Sequence, residues 1–157
     1  MKLDWTKLVI SIAVCEAAGL IGSIFTLSSI PTWYASLVKP SFSPPNWIFG
    51  HVWTILYALM GISLYLVWEK GFNRKTKFAF YLFGTQLALN SLWSILFFGL
   101  RSPLYAFIEI VALWISIVLT IFSFYRISKT SAILLLPYIA WVSFALILNL
   151  AIFQLNG

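Results

Sequence analysis

The chain has 157 residues, of which 62% are hydrophobic and only 9% are charged, and its mean hydropathy is +0.97. A soluble domain carries roughly 25% charged residues, so this composition excludes a water-soluble protein and indicates an integral membrane protein. The formal net charge of +6 would suit a nucleic-acid partner, but the positions of the cations favour a membrane explanation, and no nucleic acid is expected.

Five apolar runs are each long enough to cross a bilayer as a helix, which takes about 20 residues. A β-barrel is disfavoured because the runs are continuous and do not alternate with a period of two. The sequence therefore predicts an all-α bundle of five transmembrane helices, in a single domain that covers residues 1–157. The predicted helices are 5–27, 46–68, 77–99, 104–125 and 132–154.

The first run could also be a cleaved signal peptide. Asp4 interrupts the basic region that should precede such a peptide, and Glu16 lies inside the apolar stretch, so the run is interpreted as a retained helix. Cys15 is the single cysteine of the chain, which permits no internal disulfide.

The loop between the first two helices, residues 28–45, is rich in proline and large aromatic side chains. Pro40, Pro44 and Pro45 predict a shaped, non-helical connection, because proline fixes φ and lacks a backbone donor. Aromatic rings such as those of Trp33 in the loop and Trp47 just after it must be buried somewhere, which favours a cavity mouth or a membrane interface.

The cations predict the orientation in the membrane. In a five-helix threading, eight of them fall on one side, namely Lys2, Lys7, Lys70, Arg74, Lys75, Lys77, Arg126 and Lys129. Only Lys39 and Arg101 fall on the other side. By the positive-inside rule the N-terminus is cytoplasmic, or in an equivalent compartment, and the loop 28–45 and the C-terminus lie outside.

Each predicted helix carries a polar or small-residue stripe at helical spacing, and in lipid such stripes face the bundle interior or a cavity. The stripe on the first helix comprises Glu16, Gly19, Ser23 and Thr26, and that on the second comprises Gly50, Trp53 and Tyr57, with His51 and Thr54 beside them. The third helix carries Gln86, Asn90, Trp93 and Phe97, and the fourth carries Tyr105, Glu109, Ala112 and Ser116. The fifth carries Tyr138, Trp141, Ala145 and Leu148, with Asn149 beside them.

Two interpretations of these stripes remain open. Helix-packing seams with satisfied hydrogen bonds are favoured for Glu16, Gln86, Glu109 and Gln154. A ligand cavity is favoured for Asn90 with Trp93 and for Trp53 and Trp141, since each indole N–H needs a partner. A large, flat, mostly apolar ligand would fit such a chamber.

Three stretches resemble the signature of the TspO/MBR family, the tryptophan-rich sensory proteins of bacteria and the mitochondrial translocator protein. They are WYASLVKPSFSPPNWIFGHVWTILY at 33–57, QLALNSLWSILFFGLRSP at 86–103 and LPYIAWVSFALILNLAIFQLN at 136–156. The resemblance implies a five-helix bundle, often homodimeric, with one pocket near the outer side that the loop 28–45 covers as a lid. It also implies porphyrins, notably protoporphyrin IX, and benzodiazepine-site compounds as ligands, and a bacterial cell membrane as the location.

Matched residue by residue, the family's pocket tryptophan pair falls on Trp53 and Trp141, its helix 3 pair on Asn90 and Trp93, and its small residue on Ala145. Tyr105 stands where animal members have tryptophan, which leaves the ligand preference open. The residues and the resemblance together predict this ligand-binding set: Ser23, Thr26, Trp33, Trp47, Trp53, Tyr57, Asn90, Trp93, Tyr105, Tyr138, Trp141, Ala145 and Leu148.

The titratable residues support little other chemistry. One histidine and one cysteine predict no metal site, no cofactor is expected to be required, and the sequence has no recognisable hydrolytic motif. Some bacterial members degrade protoporphyrin in light and oxygen, and the resemblance assigns this role to Trp53 and Trp141 as candidate catalytic residues. The sterol pattern of animal members fails here, because no Lys or Arg follows Tyr138 within five residues.

Three functions remain as hypotheses. The first is a membrane receptor or sensor for porphyrins, with or without light-dependent degradation of the ligand. The alternative is a small transporter of tetrapyrroles or other amphipathic molecules, and the third is a scaffold for a protein complex. Uptake into sealed vesicles separates transport from binding, and ligand-free capture of a partner would favour the scaffold.

Overall fold

The structure is a computed structural model that describes residues 3–157, so Lys2, one of the eight clustered cations, lies outside the described residues. Throughout this part of the chain the regular structure is helical. Five spans are long and apolar enough to cross a membrane: Trp5–Tyr34, Asn46–Trp68, Arg74–Gly99, Pro103–Tyr125 and Lys129–Asn156. The predicted all-α five-helix bundle is confirmed, and the chain is an integral membrane protein.

The spans divide into six helices. They are α1, Trp5–Ser29; α2, Asn46–Trp68; α3, Arg74–Ser94; α4, Pro103–Tyr125; α5, Lys129–Leu134; and α6, Leu136–Asn156. Packing is chiefly between α1 and α2, α1 and α3, α3 and α4, and α4 and α6, while the short α5 packs against α2 and α4.

Short polar side chains begin four of the helices. Asp4, Ser102 and Ser128 each accept a hydrogen bond from a backbone N–H in the first turn of α1, α4 and α5. Asn73 begins α3 with a reciprocal capping box to Thr76. Each cap satisfies an N–H that the helix itself leaves unpaired, which matters near a membrane where water is scarce.

The loop between α1 and α2 is shorter than the expected 28–45, because helical structure continues through a π-helical turn at Ile30–Tyr34. Pro31 lies in this turn and cannot donate the i→i−4 hydrogen bond of an α-helix. A wider π turn accommodates the missing bond without ending the helix. A second π turn, Ile95–Gly99, extends α3 and contains no proline.

The fifth predicted helix, 132–154, is two helices in the structure. α5 ends at Leu134 and α6 begins at Leu136, with Pro137 in its first turn. Proline is well tolerated in the first turn of a helix but not in its interior, which explains a break at this position. The combined span is also longer than expected at both ends, running from Lys129 to Asn156.

Candidate functional site

A cavity of about 700 Å³ lies between α1, α2, α3 and α6. This volume falls within the range of roughly 300–1,000 Å³ that is usual for small-molecule sites. α4 contributes no residue to its wall, since α4 packs against the outer faces of α3 and α6. The cavity walls are mainly apolar and aromatic, with scattered hydroxyl and amide groups.

Ten of the thirteen predicted ligand-binding residues line this one cavity. They are Ser23, Thr26, Trp47, Trp53, Tyr57, Asn90, Trp93, Trp141, Ala145 and Leu148. The candidate catalytic pair, Trp53 and Trp141, therefore lies on two different helices, α2 and α6, around the same space. The ring of Trp47 is 68% exposed, which places it at the rim of the cavity.

The other three predicted residues lie elsewhere. Trp33 packs edge-on against Phe97, with 5.5 Å between the ring centroids, so it supports the wall from behind. Tyr138 is only 1% exposed and lies beneath the wall. Tyr105 is 60% exposed in the first turn of α4, a helix that contributes no residue to the wall.

A chain of buried hydrogen bonds forms the floor of the cavity. The Tyr57 hydroxyl donates to the Asn90 side-chain oxygen, and Asn90 Nδ2 donates to the Tyr138 hydroxyl over 2.8 Å. Tyr138 in turn donates to Gln86 Oε1 over 2.8 Å. The chain joins α2, α3 and α6. It holds Tyr57 and Asn90 in fixed positions and uses much of their hydrogen-bonding capacity.

The two indoles on α3 and α6 differ in their partners. Trp93 Nε1 donates to Asn149 Oδ1 over 3.0 Å, and Asn149 Nδ2 donates to the Pro103 carbonyl over 2.8 Å. Trp141 Nε1 is buried and has no partner within residues 3–157. A buried indole N–H without a partner costs free energy. Trp93 therefore offers a fixed apolar face, whereas the Trp141 N–H has almost no accessible surface and would reach a ligand only if the ring turned toward the cavity.

The polar residues expected to pair inside the bundle have varied surroundings. Gln86 accepts from Tyr138, and the buried Glu109 has no partner for either carboxylate oxygen within the described part of the chain. Glu16 is half-buried and lines the cavity. Gln154 is exposed, because it lies in the last turn of α6.

Several wall residues were absent from the predicted set. They include Ile30, Tyr34, Phe49, Phe97 and Asn149. Of these, Phe97 and Asn149 already lay in or beside a predicted stripe. Phe49 and Ile30 carry no polar signal, so their apolar side chains could equally have faced lipid.

The loop between α1 and α2 is fastened to the end of α6. The Val38 backbone N–H donates to Asn156 Oδ1 over 2.9 Å, and Asn156 Nδ2 donates to the Val38 carbonyl over 2.8 Å. The Phe42 and Phe144 rings add an edge-on contact at 6.3 Å. The Lys39 ammonium lies 4.8 Å from the centre of the Tyr34 ring. These contacts hold the loop beside the cavity.

The residues around the cavity show no arrangement for a metal ion. Across residues 3–157, no three His, Cys, Asp or Glu side chains lie close enough together to bind one. The imidazole Nδ1 of His51 is 2.8 Å from the Trp47 carbonyl oxygen of its own helix. The cavity can therefore act through stacking, apolar contact and a few hydrogen bonds.

Comparison with known proteins finds one family over nearly the whole chain. Residues 11–155 match the model of the TspO/MBR family. A tryptophan-rich protein TspO of Archaeoglobus fulgidus is 53% identical over 153 residues, which cover 96% of this chain and 97% of that protein. One of the same name from Chlorobaculum tepidum is 47% identical over 99% of both chains. The human translocator protein is 38% identical, over 87% of this chain and 82% of its own length.

Proposed function

Because the chain belongs to the TspO/MBR family, we propose that it is a membrane receptor that binds porphyrins, such as protoporphyrin IX, between α1, α2, α3 and α6. Compounds of the benzodiazepine-site type would bind in the same cavity. The observation that supports this proposal is the cavity itself, which places indole rings from α2, α3 and α6 around about 700 Å³ of mainly apolar space.

The chemistry of the wall suits a flat, amphipathic ligand. Indole and phenyl rings offer stacking faces to a macrocycle, and aromatic contacts contribute roughly 0.5–1.5 kcal/mol beyond burial. The unpartnered Trp141 N–H would donate to a ligand oxygen, such as that of a carboxylate, if its ring turned to bring this buried atom to the cavity. Uncharged side chains make up nearly all of the wall, so affinity would come from apolar burial and a few hydrogen bonds.

Titration of the purified protein with protoporphyrin IX tests the proposal. We expect quenching of tryptophan fluorescence and a shift of the porphyrin absorption band, because Trp53, Trp93 and Trp141 would contact the ring. A variant carrying both Trp53→Phe and Trp141→Phe should quench less but bind. Titration of the wild type with neither signal would contradict the proposal.

Light-dependent turnover of the porphyrin is a further part of the proposal. An excited porphyrin can oxidise an adjacent indole, and Trp53 and Trp141 are the indoles that the family resemblance assigns to this step. Phenylalanine keeps the stacking surface but is much harder to oxidise. Trp53→Phe and Trp141→Phe should therefore slow porphyrin loss under light and oxygen while most binding is retained. Equal decay in wild type and variants would leave the protein a binder only.

Transport is the second candidate, favoured by the name translocator protein that the human relative carries. A transporter would move porphyrin across a sealed membrane, whereas a receptor would only hold it. Uptake of porphyrin into proteoliposomes, against protein-free vesicles, distinguishes the two. Accumulation that exceeds the number of binding sites would favour transport.

The orientation and the homodimer also remain predictions. A cysteine placed at Ser36 in a Cys15→Ser background should react with an impermeant thiol reagent outside intact cells, while one at Asn73 should react only after lysis. The reverse pattern would overturn the cytoplasmic placement of the N-terminus. The mass of the purified particle, corrected for detergent, tests the homodimer.

A further inference from the structure

A second cavity lies on the outer surface of the bundle, in a groove between α3 and α4. It has a volume of about 310 Å³ and shares no residue with the cavity described above. The groove is lined by Lys75, Phe78, Leu82, Leu119, Phe122, Ser123, Arg126 and Ile127. These residues come from the beginning of α3 and from the end of α4 and the connection that follows it. The groove is therefore at the end of the bundle that carries most of the cations.

Two cations face this groove without a counter-charge. Lys75 lies in the first turn of α3 and Arg126 follows the last residue of α4. Neither forms an ion pair in the described part of the chain, where the ion pairs are those of Lys7 with Asp4 and Glu69. The positive end of the α3 dipole and the negative end of the α4 dipole meet here and oppose each other, so the local charge is mainly that of the two side chains. Two like charges that line one groove favour an anion between them.

The rest of the groove is apolar and continues along both helices. Lys75, Phe78 and Leu82 follow one another at helical spacing on α3, and Leu119, Phe122 and Arg126 do so on α4. The rings of Phe78 and Phe122 are 60% and 65% exposed. In a membrane protein, such outward apolar side chains face lipid. Two apolar walls thus run from a cationic end toward the middle of the bilayer.

We propose that this groove binds an anionic phospholipid, with its phosphate between Lys75 and Arg126 and an acyl chain along the apolar walls. The Ser123 hydroxyl would lie beneath the headgroup as an additional donor. Basic pockets between transmembrane helices on the cytoplasmic side are known to suit anionic headgroups. Free phosphate would use the two cations but leave the walls without a contact, which is why a lipid fits the groove better.

Local quenching by brominated lipids tests this site directly. The reporter is a bimane fluorophore on Ile115→Cys in a Cys15→Ser background, one turn from Leu119 and outside the groove. The protein is placed in phosphatidylcholine nanodiscs with a small fraction of brominated-tail phosphatidylglycerol or brominated-tail phosphatidylcholine. We expect stronger quenching by phosphatidylglycerol at equal fraction. A reporter at Ile147→Cys, which is exposed on α6, should show no such preference.

Matched charge variants then identify the cause of the preference. Each basic residue near a membrane surface contributes about 1 kcal/mol, so Lys75→Gln with Arg126→Gln should weaken the preference by roughly 25-fold. Lys70→Gln with Lys77→Gln removes the same charge from the same end but outside the groove, and should preserve most of it. Equal quenching by both lipids, or equal loss in both double variants, would overturn the proposal. Displacement by millimolar inorganic phosphate would also overturn it, in favour of a simple phosphate site.

Discussion

The two halves of the α1–α2 pair differ sharply in how closely the helices approach. At Gly61 an added Cβ would lie only 2.5 Å from the Ile12 Cα, so the backbones are in direct contact. At Gly50, about three turns away on the same helix, nothing lies within 4 Å of that position. Gly61 therefore marks the packed half of the pair, where the helices touch, and Gly50 marks the open half, which borders the cavity. Residue type alone therefore does not distinguish a packing seam from a pocket.

Particular buried polar groups in the packed half and in the open half also differ in their hydrogen bonding. In the closely packed half, the Ser63 hydroxyl is 2.8 Å from both the Ser131 carbonyl and hydroxyl oxygens, and Ser131 donates to the Ser63 carbonyl over 2.6 Å. In the open half, Trp141 Nε1 is left without a partner in the described residues. The contrast is not complete, because the Ser11 hydroxyl, next to Ile12 in the packed half, is also buried without a partner in the described residues.

The largest expected effect tests the packed half. Gly61→Ala should destabilise the fold by about 3 kcal/mol, because the new methyl meets the Ile12 backbone, which cannot move aside without separating α1 from α2. Gly50→Ala is the matched control. It should be neutral, or stabilising by about 0.5–1 kcal/mol, since alanine is the better helix former. Thermal unfolding in detergent measures both variants, and equal melting temperatures would contradict the contrast.

The next effect concerns the open half. Ala145 lines the cavity on α6, so Ala145→Leu should fill part of the ligand space and weaken porphyrin binding by about 25-fold, or about 2 kcal/mol. Ala140→Leu makes the same change at an exposed position of the same helix and should leave affinity unchanged. Fluorescence titration compares the two. Unaltered affinity in folded Ala145→Leu would place the ligand elsewhere.

The sequence was sufficient to predict the helices and much of the cavity wall. Apolar runs set the number of spans, and stripes of polar and aromatic residues indicated the inward faces of α1, α2, α3 and α6. The helix ends were harder to predict. The loop was predicted to begin at residue 28, yet a π turn carries the helix past Pro31 to Tyr34. Whether a proline ends a helix depends on the local hydrogen bonds, which composition does not show.

The stripe on α4 shows what periodicity leaves open. Tyr105 and Glu109 share a helix, but Tyr105 is exposed and Glu109 is buried against the bundle. A polar stripe predicts an inward face but not which neighbour that face meets, and α4 lies outside the helices that enclose the cavity. Tyr138 likewise lies one layer too deep to reach the cavity, where it holds Asn90 in place.

A substitution at Asn90, where the packed and open halves meet, should have a smaller effect on stability. Asn90→Leu removes the acceptor of the Tyr57 hydroxyl and the donor to Tyr138, so both buried hydroxyls lose a partner. Hydrogen bonds between transmembrane helices contribute about 0.6–1.7 kcal/mol each, so a total loss near 1.5 kcal/mol is expected. The exposed Asn46→Leu is the control and should change stability little. Thermal unfolding of the two variants checks this, and equal stability would mean that the chain of hydrogen bonds is not structurally important.

The smallest effect concerns the loop that borders the open half. The Asn156 side chain makes two hydrogen bonds to the Val38 backbone, and both groups are exposed, so each bond should contribute at the low end of the usual range, about 0.5 kcal/mol. Asn156→Ala should release the loop from α6 and raise the rate of ligand dissociation by roughly fivefold. The melting temperature should change little, because the substitution leaves α1, α2 and the rest of α6 intact. Gln154 is also exposed and lies two residues earlier, and the hydrogen bonds from this end of α6 to the loop are those of Asn156. Gln154→Ala should therefore release the ligand at the wild-type rate. Stopped-flow displacement of bound porphyrin measures both rates. If the loop is a lid, ligand dissociates faster from the Asn156 variant alone. If both variants release ligand at the wild-type rate, the ligand leaves the cavity by a path that the loop does not control, such as the gap between the open ends of α1 and α2.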